Sequence, residues 1–126
     1  MIKLNSLKAD TKAQEEGEWQ PVPALPGVEL KVRSFKAPAV ASKFGFLVQR
    51  MDRQKLKGVD REIETGRFLA EHVLLGWKGF DVPFSPEVAR EALADPEHQD
   101  LRDYVFDAAR AVGVARIEQV EDIAGN

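Results

Sequence analysis

The chain has 126 residues, 44% hydrophobic and 31% charged, with a net charge of −3 and no cysteine. That length suits one domain, which needs no covalent staple; the absent thiols exclude disulfides and thiolate chemistry, and two histidines, His72 and His98, do not favour a metal. No apolar run approaches the ~20 residues of a membrane span, and MIKLNSLKADTKAQEEGE lacks the apolar core of a secretory signal, so a soluble protein of a reducing cytoplasm is expected.

Residues 1–17 are polar and lack sustained periodicity, which reads as a flexible N-terminal arm, extended at Met1–Leu7. Residues 18–36 read as a β-hairpin. Val28, Leu30 and Val32 alternate with Glu29, Lys31 and Arg33, the period of a half-buried strand. PALPG is the turn, so residues 18–23 pair with 27–35. Pro21 and Pro23 lack backbone donors, which makes the first strand an edge.

The rest, 37–126, reads as helical. The first long helix starts near Pro38, buries the stripe Val40, Phe44, Leu47, Val48 and Met51, and stops at Gly58 after a basic last turn. A second spans about Asp60 to Leu75, with Ile63, Ala70, Val73, Leu74 and Trp77 on one face. Gly66 inside it costs about 1 kcal/mol against alanine, which suits close packing on a neighbouring helix. Gly76 and Gly79 end that helix, and Ser85, with Pro86 behind it, caps the next. Asp95-Pro96-Glu97 opens a fourth, along which Leu101, Tyr104, Val105, Ala108 and Val112 follow the helical period up to Gly113. Ile117, Val120 and Ile123 suggest a short last helix. The expected class is α+β: four to five short helices with an N-terminal hairpin.

Charge is uneven. Residues 37–58 carry five Lys or Arg against one Asp, while 59–126 carry seven against fifteen Asp or Glu. The basic stripe Lys43, Arg50, Arg53, Lys55 and Lys57 is the one candidate for nucleic acid, and the acidic whole disfavours that use. No catalytic pattern emerges. His72, Asp81 and Ser85 are near one another in sequence, but Ser85-Pro86 is explained as a helix start. The paired carboxylates Glu15-Glu16, Asp100 with Asp103, and Glu121-Asp122 fall on outward faces. GWKG and LPGVE lack the pattern of a phosphate loop. No cofactor and no metal is expected, and the chain reads as a binding module rather than an enzyme. Its candidate contact residues are aromatic: Trp19 on the edge strand, Phe35, and Trp77, Phe80 and Phe84 around the turn after the second helix. The last three suit either a packed corner or an exposed patch for a partner.

Three segments, in order, resemble the tail assembly chaperones of long-tailed bacteriophages and related prophages. DTKAQEEGEWQPVPALPGVELKVRSF is similar to that family's N-terminal hairpin, with its Gly-x-Trp opening and its Val-Arg second strand. RFLAEHVLLGWKGF is similar to its central helix running into a Trp-Lys/Arg-Gly turn. VPFSPEVAREALADPEHQDLRDYVFDAA is similar to its Phe/Tyr-Ser-Pro-Glu helix start and the acidic helix beyond. The connection FDVP is shorter than in many members, and the ending ARIEQVEDIAGN differs from the family's. The resemblance implies a non-enzymatic role in the bacterial host cytoplasm: binding the tape-measure protein while tail-tube subunits polymerise around it, with absence from the finished virion. The candidate partners are those two proteins and, as a homo-oligomer, further copies of the chain; no membrane is expected. It implies no catalytic residue. The alternatives are a structural virion component, such as a head–tail connector or tail-completion protein, and a small nucleic-acid-binding regulator.

Overall fold

The alternating run Val28–Arg33 becomes the central strand of a three-stranded antiparallel sheet. A computed structural model describes residues 1–121. In it β1 (Glu18–Pro21) pairs with β2 (Glu29–Val32), Trp19 opposite Lys31 and Gln20 opposite Leu30. On its other side β2 pairs with β3 (Leu74–Lys78), Leu30 opposite Trp77 and Lys31 opposite Gly76, with a bulge between Lys31 and Val32. β1 is an edge, where its Pro21 leaves no ladder donor wanting.

The pleat sorts the side chains. Leu30 and Val32 are fully buried and face the helices. Glu29 and Lys31 face the other way, and with them, by register, Trp19, Gly76 and Lys78.

α2 (Pro38–Arg53) begins on Pro38 and buries Val40, Leu47 and Met51. α3 (Gly58–Phe68) continues into a π-helical turn, Leu69–Val73, and then directly into β3. α4 (Pro86–Ala94) is capped by Ser85, whose hydroxyl accepts from the Val88 N–H at 3.1 Å. α5 (Gln99–Ala111) packs against β1, β2 and the π turn, burying Val105, Ala108 and Ala109. The core runs from Leu30 and Val32 through Leu69 and Val73 to Leu93, Val105 and Val112. The fold is α+β and mainly helical.

Gly66 meets the expectation of close packing. A Cβ placed there would lie 1.8 Å from the Leu93 carbonyl oxygen, so α3 and α4 touch backbone to backbone. The same junction holds Arg102, which is buried on α5. Its guanidinium donates to the Leu93, Asp95 and Pro96 carbonyls at 3.3, 2.7 and 3.3 Å and reaches Glu62 of α3 at 3.4 Å. The last carbonyls of α4 thus gain charged donors in place of water.

Several expectations fail in detail. The second helix does not reach Leu75: Leu74–Lys78 is a strand. An apolar run with glycines at 76 and 79 reads either way by periodicity, and the unpaired edge of β2 decides in favour of the strand. α5 starts at Gln99, because the Asp95 carboxylate accepts from the Glu97 N–H in a local turn instead of capping a helix. Residues 1–17, expected as a loose arm, form a 3-10 turn at Leu4–Leu7 and a helix, α1 (Thr11–Glu16), whose Gln14 is buried. Asp10 caps α1, accepting from the Ala13 N–H at 3.0 Å.

The short last helix also fails over Ile117 and Val120, which are exposed; Ile123 lies outside the described residues. Gly113, in the left-handed region at φ 65°, ends the helical course. Beyond it the chain pairs with the N-terminus. Lys3 donates to the Glu118 carbonyl at 2.9 Å, Val120 donates to the Met1 carbonyl at 2.9 Å, and Ile2 bridges Gln119.

Candidate functional site

Trp77 sits on the helix-facing side of β3, opposite Leu30. Its indole N–H donates to the Val82 carbonyl at 2.8 Å, which folds residues 79–84 back over the strand end. Phe80 and Phe84 meet the indole edge-on, with ring centroids at 5.4 and 5.1 Å, the arrangement the ring quadrupoles favour. Gly79, at φ 94°, makes the fold-back possible: a Cβ there would lie 2.2 Å from the Gly27 carbonyl oxygen. The three rings are half-buried and pack against the core. They form a packed corner whose outer rim is a groove.

That groove, about 250 Å³, lies between Leu25 of the β1–β2 loop, the Trp77–Val82 corner and Leu101 and Tyr104 of α5. A second concavity of about 430 Å³ continues past Tyr104, walled by Pro21, Val22 and Pro23 on one side and Ala108 and Ala111 on the other. Tyr104 is common to both. The two follow one another along α5 from Leu101 to Ala111, about 15 Å at 1.5 Å per residue, as a mainly apolar trough in two halves with Tyr104 between them. Val82, 45% exposed, stands at its mouth.

The structure does not bring the remaining candidates here. Trp19 lies on the outward face of the sheet. Its ring reaches over Gly76, and the Lys78 ammonium sits 4.1 Å from its centroid, a cation–π contact at an exposed site. Phe35 joins a second aromatic cluster under α2, with Phe44 and Phe106 at 5.1 and 5.3 Å and Phe68 at 6.3 Å.

Sequence reasoning missed Leu25, Val82 and Tyr104 as trough residues, because only the tertiary fold puts the hairpin loop beside α5. It also missed Phe46, 69% exposed on α2. A signal existed: Phe46 falls off the stripe Val40, Phe44, Leu47, Val48 and Met51, on the face that carries Lys43 and Arg50.

Phe46 borders a different concavity, about 500 Å³ and polar, between α2, α3, the π turn and α4. Lys43, Arg50, Arg53, Arg67 and Arg90 line it against Glu64 and Glu71. Glu64 pairs with Arg50 at 3.1 Å and Arg67 at 2.7 Å, and Glu71 pairs with Arg90 at 3.2 Å. Lys43 and Arg53 make no ion pair among the described residues. His72, in the π turn, packs at a tilt against Phe68, with ring centroids 4.8 Å apart. Burial and the Lys43 ammonium hold its pKa below the usual 6.5; Glu71 opposes and Arg33 adds to the lowering. The other histidine, His98, places Nδ1 2.8 Å from the Ala92 carbonyl. Among the described residues no three His, Asp or Glu side chains cluster as metal ligands, and no helix is long and apolar enough to cross a membrane.

A family model described as YdaY prophage protein matches residues 40–126. No curated protein and no solved structure matches the chain.

Proposed function

The chain belongs to the YdaY prophage protein family, and from that prophage origin we propose that it is a non-enzymatic tail assembly chaperone. Its client is the tape-measure protein, held while tail-tube subunits polymerise around it. The observation that carries this reading is the apolar trough along α5, bounded by Trp77, Val82, Leu25 and Tyr104. A tape-measure protein exposes long amphipathic helices before the tube covers them, and such stripes aggregate unless shielded. The trough is about three helical turns long, enough to receive the apolar face of one such segment. Two or three apolar side chains buried there contribute roughly 1.5–3 kcal/mol each before the cost of ordering. That is at most about 9 kcal/mol before the cost of association, so the complex is weak enough for arriving tube subunits to displace.

The test is co-expression with the tape-measure protein of the same prophage, followed by size-exclusion chromatography of the soluble fraction. Co-elution is expected, with the tape-measure protein insoluble when made alone. Val82→Asp puts a carboxylate at the mouth of the trough without touching the core, and it should weaken capture at least tenfold. A tape-measure protein equally insoluble with and without this chain sinks the reading. Recovery of the chain from purified particles instead favours a structural virion component.

A further inference from the structure

The polar groove beside α2 is separate from the trough and has its own logic. Lys43, Phe46, Arg50 and Arg53 all line it and are spaced i, i+3, i+7 and i+10, so they share one face of α2. Five cations face two carboxylates, an excess of three with His72 neutral. Phe46 stands 69% exposed in the middle of this charge. A nucleic-acid backbone suits that surface poorly, because the molecule as a whole carries a net charge of −3 and the groove's five cations form a short patch interrupted by Glu64 and Glu71 rather than a continuous track for phosphates. An acidic helix with a ring near its charges suits it well.

The chain carries such a helix. Asp100, Asp103 and Asp107 recur at i, i+3 and i+7 along α5, and all three are exposed. Among the described residues Asp100 and Asp103 make no ion pair, and Asp107 pairs only with Arg110, three residues on. The ring of Tyr104 borders the stripe. Lys43 to Arg50 and Asp100 to Asp107 are both seven-residue steps, about 10.5 Å along a helix, so the two charge rows are commensurate. No residue of α5 lines the α2 groove, so a copy does not satisfy its own groove.

We propose that the α2 groove of one copy receives the acidic α5 stripe of a second copy. The contact is heterologous: each copy offers one groove and one stripe, so association continues head to tail into chains or closes into a ring. It is electrostatic at the rim and apolar around Phe46, Leu47 and Phe68, and therefore weak and salt-sensitive.

Sedimentation velocity of the full chain over a concentration series tests it. Near 0.01 M salt, where the Debye length is about 30 Å, the average mass should rise with concentration; near 1 M, where it is about 3 Å, the monomer should return. Lys43→Glu with Arg53→Glu, and separately Asp103→Lys with Asp107→Lys, should each give a monomer at low salt. An equimolar mixture of the two should associate again, because each supplies the partner the other lacks. So should one chain bearing all four changes. Circular dichroism checks that each variant folds, and the neutral versions, Lys43→Gln with Arg53→Gln and Asp103→Asn with Asp107→Asn, serve if a reversal does not. A wild-type chain monomeric at every concentration overturns the proposal. So do charge variants that associate like the wild type, or reversed variants that stay apart when mixed.

Discussion

Arg102 does more for this fold than its residue type suggests. It is buried, yet both terminal guanidinium nitrogens find carbonyls at or just past the end of α4, and one also reaches the Glu62 carboxylate. Arg102→Met keeps much of the volume and strands those carbonyls, at ~1–3 kcal/mol for each buried group left unsatisfied. We expect a loss of about 3 kcal/mol or more, read as a lower urea midpoint with an unchanged slope. The pattern hinted at this role, since Arg102 sits three and seven residues before Val105 and Ala109 on the buried face, but a lone arginine in an apolar stripe gives no sign of its partners. His72 makes the second residue-scale prediction. Its pKa lies below 6.5 in the folded chain, so the unfolded state binds the proton more readily. Its contribution to stability is complete above that value, falls as pH drops through 6.5, and levels off below the folded pKa. His72→Gln should remove that part of the decline as pH falls from above 6.5 to below the folded pKa, seen by comparing urea midpoints of the two proteins. Equal pH slopes would contradict it.

Among elements, the α3–α4 junction is the most constrained. Gly66→Ala drives a methyl into the Leu93 carbonyl, and backbone on both sides cannot rotate away. The cost expected for such overpacking is about 1–3 kcal/mol, although alanine is the better helix former by about 1 kcal/mol. A thermal midpoint at or above that of the wild type would refute the close contact. The strand Glu29–Val32 and the cap at Ser85 were legible in the sequence because each depends on neighbours a few residues away. The strand Leu74–Lys78 was not, since its apolar run fits helix or strand and only the free edge of β2 distinguishes them. α1 was hidden for a similar reason. Its apolar content is small, and it is held by Gln14, whose carbonyl accepts from the Ser34 N–H at 3.1 Å.

At the scale of the whole molecule, the two concavities share only α4 as a common wall and differ in character: an apolar trough along α5 and a cationic groove against α2. The aromatics around Trp77 were visible as candidates from composition and spacing. That Trp77 and Phe80 wall a trough follows only from the tertiary fold, and that Trp19 turns to the opposite face of the sheet follows only from strand register. The uneven charge was equally visible, but its basic half gained meaning once Lys43, Phe46, Arg50 and Arg53 were seen on one face.

The place of β2 in the sheet also sets an order of events. Its first neighbour, β1, is close by in sequence, but its second, β3, lies beyond residues 33–73. Closing that span costs about 3 kcal/mol of chain entropy before any ladder bond rewards it. During synthesis, at roughly 5–20 residues per second, the hairpin waits a few seconds with Leu30, Val32 and one row of backbone groups uncovered. The newborn chain is thus, for that interval, itself a sticky client, and a slower ribosome between residues 33 and 78 lengthens its exposure to aggregation.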